Sequence, residues 1–263
     1  MDTSTIHTIR RGSGNPVLMV HGLGSSWRNW EPILDRLSTE REVILIDLPG
    51  FGQSPPFPGA VTMASMTDAV QQYMHDTGIP KVDLVGSSMG ARMVLELTRR
   101  GVGGNVVALD PGGFWNKKQR RVFGASVGLS VKLVRALQSP MPAIASSPVG
   151  RTLLLSQFSA RPWALPPDLV LNEMRSFNQA TRLDEALDAL VNGPVQEGAA
   201  AGSTPGRVAI GWGRKDLVTL PSQVLTARTK FPDASLHWFD SCGHFPHWDK
   251  PDETAEYVLK SLR

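Results

Sequence analysis

The stretch LVGSSMGARMV, Leu84 to Val94, runs from an aliphatic segment into a helix-like pattern through two serines held between glycines. Gly86, Ser88 and Gly90 satisfy G-x-S-x-G at the junction of an expected strand and an expected helix, the setting in which that pattern builds a nucleophile elbow. A turn this sharp forces its central residue into a strained backbone conformation and projects the side chain off the end of a sheet, so its close neighbours must be small. Ser88 is at the tip, whereas Ser87 holds the flanking position, where a side chain packs or hydrogen-bonds. The helix that follows aims free N–H groups and the positive end of its dipole at the same point, which favours developing negative charge. Met89 N–H is the first expected donor there.

Outward from the elbow, short aliphatic runs alternate with longer helical patterns, the signature of a mostly parallel central sheet flanked by helices, an α/β fold. The expected strands are Pro16 to Val20, Val43 to Leu48, Val82 to Gly86, Asn105 to Asp110, Arg207 to Gly211 and Ser235 to Asp240. A further strand at Ile6 to Arg10 is expected to pair antiparallel through the GSGN turn. Apolar residues recurring every three to four positions predict helices at Trp30 to Leu37, Met66 to His75, Met89 to Arg99, Gln223 to Lys230 and Glu253 to Leu262. Between Gly112 and Pro205 the alternation stops: helical patterns such as Val122 to Gln138 and Leu183 to Val191 appear, with no convincing strand. The division expected is a core made of residues 1–111 and 206–263, with 112–205 inserted as a helical lid. Apolar lid residues Phe114, Trp115, Met141, Phe158, Trp163 and Phe177 are candidates to line a pocket, with Trp27 and Phe245 at its border.

The composition is that of an ordinary globular chain: 263 residues, 41% hydrophobic and 19% charged. Net charge is only +3, which does not imply nucleic acid as a partner, and the one basic cluster, KKQRR at Lys117 to Arg121, reads as a solvated face or an attractor of anions. The single cysteine, Cys242, excludes an internal disulfide framework and cannot build a thiolate metal cage. The opening MDTSTIHTIRRGSGNP lacks the apolar stretch of a signal peptide, and no apolar run approaches the roughly 20 residues that cross a bilayer, so the cytoplasm is the expected compartment and no membrane span is expected.

Five motifs, HGLGSSW (His21 to Trp27), DLPGFGQS (Asp47 to Ser54), GSSMGA (Gly86 to Ala91), GRKDLV (Gly213 to Val218) and CGHFPHWDKP (Cys242 to Pro251), together give the chain a resemblance to the α/β-hydrolase fold superfamily, in its lid-bearing serine esterase-like branch. The sheet regions resemble it best and the inserted segment least. A serine hydroxyl is a weak nucleophile near neutral pH and needs a base, for which the resemblance implies His244 in SCGHFPHW. His247 lacks the preceding glycine, His21 suits the shaping of its loop, and His7, His75 and His237 lack a corresponding motif. A carboxylate must orient the imidazole; Asp216 gives the chain order Ser88, Asp216, His244 implied by the resemblance, with Asp110 at the end of an earlier strand as the alternative acid. Leu23 N–H is the second implied oxyanion donor beside Met89 N–H.

The resemblance implies a hydrolase that cleaves a small to medium carboxylic ester through an acyl-enzyme, with a small ester-like molecule as substrate and neither metal nor organic cofactor required. The same triad serves carbon–carbon bond hydrolysis of dienoates, thioester hydrolysis, lactone opening and perhydrolysis. Phe245 stands after His244 where the carbon–carbon hydrolases often carry tryptophan, which argues against that branch. A ligand-binding receptor or interaction protein with little turnover is the alternative from another class. The sequence does not fix the oligomeric state.

Overall fold

A computed structural model of the chain describes residues 6–263. The start of the expected 1–111 core segment, and with it the start of the stretch read for a signal peptide, lies outside the described residues. The described sheet has seven strands: β1 (Thr8–Arg11), β2 (Pro16–Val20), β3 (Glu42–Ile46), β4 (Asp83–Ser87), β5 (Val106–Leu109), β6 (Val208–Gly213) and β7 (Ser235–Phe239). Their spatial order is β1-β3-β2-β4-β5-β6-β7, with every pair parallel except β1 and β3. The central strands β5 and β6 are buried at every position, as expected of parallel strands covered on both faces.

Alternate residues of a strand point to opposite faces, so each run feeds two cores. Leu18, Val20, Ile44, Ile46, Leu84 and Val106 pack on one side with α2 (after α1 at Glu31–Ser38; α2 is Met63–Asp76) and α3 (Met89–Arg99). Val17, Met19, Val43, Leu45, Val85 and Val107 pack on the other side, against Ile33, Leu34 and Leu37 of α1 and Val258 and Leu259 near the C-terminus.

The expected hairpin through GSGN is not formed: β1 pairs with β3, Thr8 opposite Ile46 and Arg11 opposite Val43. Both edges of β2 are taken by parallel partners, β3 and β4, so the only edge open to an antiparallel strand is the outer edge of β3. The turn crosses to it with Gly12 and Gly14 at φ +77° and +106°.

Between β5 and β6 the chain inserts five helices, α4 (Lys117–Ala136), α5 (Met141–Ser146), α6 (Pro148–Leu155), α7 (Pro167–Gln179) and α8 (Leu183–Asn192), and no strand. The helix α4 begins five residues ahead of the expected Val122, because Asn116 and Gln119 form a capping box in which each side chain accepts from the other's backbone N–H at 2.9 Å. Much of the insertion packs around its own apolar cluster, to which Phe245 and Trp248 contribute from the segment that follows β7. The chain ends through α9 (Val224–Lys230), α10 (Pro246–Asp249) and α11 (Pro251–Ser261). Among the described residues no helix is long and apolar enough to cross a membrane.

Candidate active site

Ser88 stands between the last residue of β4 and the first of α3, with φ 55° and ψ −112°. For a residue with a side chain this is a strained conformation, worth roughly 1–3 kcal/mol that the surrounding structure must hold. The flanking glycines show how tightly it is held. A methyl group on Gly86 would lie 2.4 Å from the Gly90 carbonyl oxygen, and one on Gly90 would lie 2.1 Å from the Val20 carbonyl oxygen. Only residues without a Cβ let β2, the elbow and α3 meet at this distance. Ser87 is fully buried, and its hydroxyl has no hydrogen-bond partner among the described residues.

The loops after β6 and β7 bring their side chains to the same end of the sheet. His244 Nε2 lies 2.8 Å from Ser88 Oγ, and His244 Nδ1 lies 2.8 Å from Asp216 Oδ2. Both His244 and Asp216 are 1% exposed, whereas Ser88 is half-buried and reachable. Asp216 is itself fixed by Val218 N–H at 2.7 Å, Thr219 N–H at 3.0 Å and the Thr219 hydroxyl at 2.6 Å. Four donors thus converge on this carboxylate, the fourth being the His244 ring nitrogen, and together they fix its orientation.

Asp110, the alternative acid, turns its Oδ1 to Gly213 N–H at 2.8 Å and makes no contact with the imidazole comparable to that of Asp216. Burial first, and then the neighbouring Asp216, push its carboxyl well above the usual carboxylate range. Between two carboxylates no hydrogen is available, and Asp110 Oδ2 would stand buried without a partner; a proton on Asp110 supplies the missing hydrogen bond to Asp216. Asp110, Asp216 and His244 form the one grouping of metal-ligand type among the described residues. In that grouping the Asp216 carboxylate and the His244 ring nitrogen are engaged with each other at 2.8 Å.

The HGLG loop after β2 lies against the elbow: a methyl on Gly22 would be 3.2 Å from Ser88 Cβ. His21, fully buried, sets the shape of that loop. Its Nε2 accepts from Leu48 N–H at 3.0 Å, so Nδ1 carries the hydrogen and donates to the Gly22 carbonyl at 2.8 Å. Burial lowers its pKa, consistent with a neutral ring. Met89 opens α3, so its N–H has no acceptor within the helix. Asp47 ties the neighbouring loops together, accepting from Trp27 N–H at 2.7 Å and Gln53 N–H at 2.9 Å.

Of the residues expected at a pocket, Phe158, Phe177 and Phe245 do converge. With Leu133, Val134, Leu154, Leu155, Met174, Trp248 and Ser130 they enclose an apolar chamber of about 20 Å³. Phe245 adjoins His244, and the Phe177 ring lies over Gly24 of the HGLG loop. Other candidates stand elsewhere. Met141 is sealed inside the insertion's own core, and Trp163 is 52% exposed, because the turn carrying it faces outward while its carbonyl accepts from Arg151. Trp27 packs on the opposite face of the sheet, its ring under Arg28. Phe114 meets Phe231 edge-on and Trp115 stacks on Phe123, in the core under α4; Trp115 alone of these reaches toward the elbow, against Gly112.

Three polar residues near the site were not anticipated. Thr219 braces Asp216, as described. Asp249 accepts from Gly243 N–H at 2.7 Å and Ala160 N–H at 2.8 Å, and the Phe158 carbonyl accepts from His244 N–H at 2.8 Å, so the loop bearing His244 is fastened to the insertion. Glu173 of α7, 1% exposed, accepts from the Ser25 hydroxyl at 2.8 Å and pins α7 to the HGLG loop. Burial pushes its carboxyl up to about 8, against the pull of the Ser25 hydroxyl and the nearby Asn29 amide. The signal for Glu173 was present: Leu169, Val170, Glu173 and Met174 share one helical face, and an acid among apolar residues there must find a buried donor.

The dihydrolipoyllysine-residue acetyltransferase component of the acetoin cleaving system of Cupriavidus necator is 27% identical over 274 residues, covering 100% of this chain and 67% of that protein. The chain thus spans about two thirds of that relative's length. A 2-hydroxy-6-oxononadienedioate/2-hydroxy-6-oxononatrienedioate hydrolase of a Pseudomonas species is 27% identical over 277 residues, covering 98% of this chain and 92% of that one. Among solved structures, a thermophilic esterase from Thermogutta terrifontis superposes with a TM-score of 0.74 at 20% identity, covering 98% of this chain and 94% of the other, a likeness of fold. Residues 17–257 match the family described as the alpha/beta hydrolase family, and with the elbow, the strand order and the strand-end residues in place, the chain belongs to that family.

Proposed function

We propose that the protein is a serine hydrolase that cleaves small to medium, uncharged carboxylic esters through an acyl-enzyme on Ser88. The observation that carries this reading is the unbroken relay of two 2.8 Å contacts, Ser88 Oγ to His244 Nε2 and His244 Nδ1 to Asp216 Oδ2. His244 takes the Ser88 proton as Oγ attacks the ester carbonyl, and Asp216 keeps the imidazole in the tautomer that leaves Nε2 free and stabilises the imidazolium that forms. The tetrahedral oxyanion is held by Leu23 N–H and Met89 N–H, in a site where such donors are worth several kcal/mol each. Collapse returns the proton to the departing alcohol, and a water activated by His244 then releases the acid.

In this reading residues 112–205 act as a lid, and the apolar chamber beneath them receives the hydrophobic part of the substrate. A volume of about 20 Å³ holds little more than one water molecule, so the chamber must widen around Phe177 and Leu133 as substrate enters.

A second reading, carbon–carbon bond hydrolysis, is favoured by the likeness to the dienedioate hydrolase. Such a substrate carries two carboxylates, and none of the chamber-lining residues is charged, which supports the neutral ester instead. Turnover of short-chain aryl esters, thioesters, lactones and dienoates by the purified protein, with products identified, tests the assignment. Ester cleavage is expected to be fastest and to fall by about 10⁴–10⁶-fold in Ser88→Ala, in line with the losses seen when a triad member is removed. Equal rates in the two proteins, or ligand binding without product, would reject it.

A further inference from the structure

The helix α4 divides its 20 residues sharply between two faces. Phe123, Val127, Val131 and Val134 are buried against the rest of the molecule. The opposite face, Lys118, Arg121, Val122, Leu129, Lys132 and Leu133, is exposed to solvent, with Leu129 68% and Leu133 44% accessible. No Asp or Glu occurs anywhere in the helix, which also carries Lys117, Arg120 and Arg135. Arg135 is paired with Asp184 and Arg120 donates to the Gly193 carbonyl, but Lys117, Lys118, Arg121 and Lys132 form no ion pair among the described residues. An ordinary solvated helix face alternates charge signs and keeps leucines inside; this one mixes uncompensated cations with outward aliphatic side chains along about 30 Å of axis.

A further exposed leucine lies on α6, a neighbour of α4 in the insertion. Gln157 joins the end of α6 to α4 by accepting from Ser130 and donating to Ser126, and on α6 Leu153 is 78% exposed. Leu133 belongs both to this outer face and to the wall of the chamber beside His244, with Leu154 across from it. The outer surface and the interior chamber thus meet at one residue.

We propose that the exposed face of α4 docks on the surface of an anionic lipid bilayer, its lysines and arginine on headgroup phosphates and Val122, Leu129 and Leu133 in the headgroup–acyl boundary. Charge complementarity selects this occupant. A second copy packed face to face would set cations against cations. Nucleic acid would use the cations but not the exposed aliphatic residues, and the one aromatic side chain of this helix, Phe123, is buried with neighbouring Trp115 where no base can stack on it. Docked in this way, the protein presents the chamber mouth at Leu133 to molecules dissolved in the bilayer, a consequence that rests on the reading of the chamber as the hydrophobic subsite of a hydrolase.

The test uses the full chain carrying Ser88→Ala, so that docking is read without catalysis and a failure of the hydrolase assignment stays separate. Co-sedimentation with vesicles of phosphatidylcholine, and of phosphatidylcholine with phosphatidylglycerol, is expected to show binding to the anionic vesicles that high salt reverses. Lys118→Gln with Arg121→Gln is expected to weaken it about 30-fold, at about fivefold per cation, and Leu129→Ser by about tenfold. In the Ser88 protein these three substitutions leave turnover of a water-soluble ester unchanged, which also verifies folding. Absence of binding to anionic vesicles at low salt overturns the proposal. So does binding that the charge variant leaves intact, or retention on heparin equal to that on vesicles and indifferent to Leu129→Ser, which would make the face a general polyanion surface.

Discussion

Glu173 offers a test of the site's electrostatics that does not depend on knowing the substrate. Replacing it by glutamine keeps the shape and the acceptor for the Ser25 hydroxyl and removes only the ability to ionise. In the folded protein the carboxyl titrates at about 8 instead of 4.5, chiefly through burial, with Glu31 and Asp47 adding repulsion. A folded-state value raised for an acid means that the folded protein holds its proton more tightly than the unfolded chain. The associated stability is complete below pH 4.5, declines as pH rises, and is gone above about pH 8. The full span is on the order of 5 kcal/mol, of which about 2 kcal/mol falls between pH 6 and pH 8. For a chain of this size that corresponds to about 4–8 °C in melting temperature. Urea and thermal unfolding of wild type and Glu173→Gln at pH 6 and pH 8 isolate the contribution, because other titrating groups, such as the buried His247 held near 3, are common to both proteins and cancel in the difference. The wild type is expected to lose this stability over the interval while the variant does not. Parallel loss in the two proteins would refute a buried neutral acid at this position.

Two further perturbations separate roles within the site. Asp216→Asn, which disrupts the imidazole tautomer, is expected to lower kcat by about 10³–10⁴ with little change in KM, whereas Asp110→Asn, replacing an already neutral acid, should leave kcat within about tenfold in steady-state kinetics. Gly24→Ala places a methyl 2.6 Å from the Phe177 ring at a φ of +74°, so it is expected to raise KM and lower the melting temperature, with part of the KM effect recovered when Phe177→Ala is added.

The elbow was legible because its chemistry is local: the glycines that clear space for β2 and α3 lie within two residues of Ser88, and the helix they open ends at Arg99 as the apolar spacing predicts. The sheet order was less so. Nothing near GSGN announces that β2 has no free edge, since that depends on β3 and β4, so the local turn suggested a hairpin that the sheet does not contain. In the insertion, hydrophobic spacing identified helices but not which of their faces turn inward to the chamber. Met141 and Phe158 read alike in sequence, yet one fills the insertion's own core and the other reaches the site, because the distinction is made by contacts between helices distant along the chain. Glu173 and Asp249 act across 148 and 90 residues respectively, to Ser25 and Ser159, so periodicity that marks Glu173 as buried still cannot name its partner.

The fastening of the His244 loop to residues 158–160 constrains how such a protein can be re-engineered or diversify. Because the Phe158 carbonyl and the Ala160 N–H hold His244 and its anchor Asp249, the insertion is in part a buttress for the proposed general base. A chimera that swaps the whole segment between β5 and β6 for one of different length therefore removes support from the imidazole along with the specificity it was meant to change. Grafts that begin after Ala160 or end before Phe158 keep these hydrogen bonds and so keep the buttress.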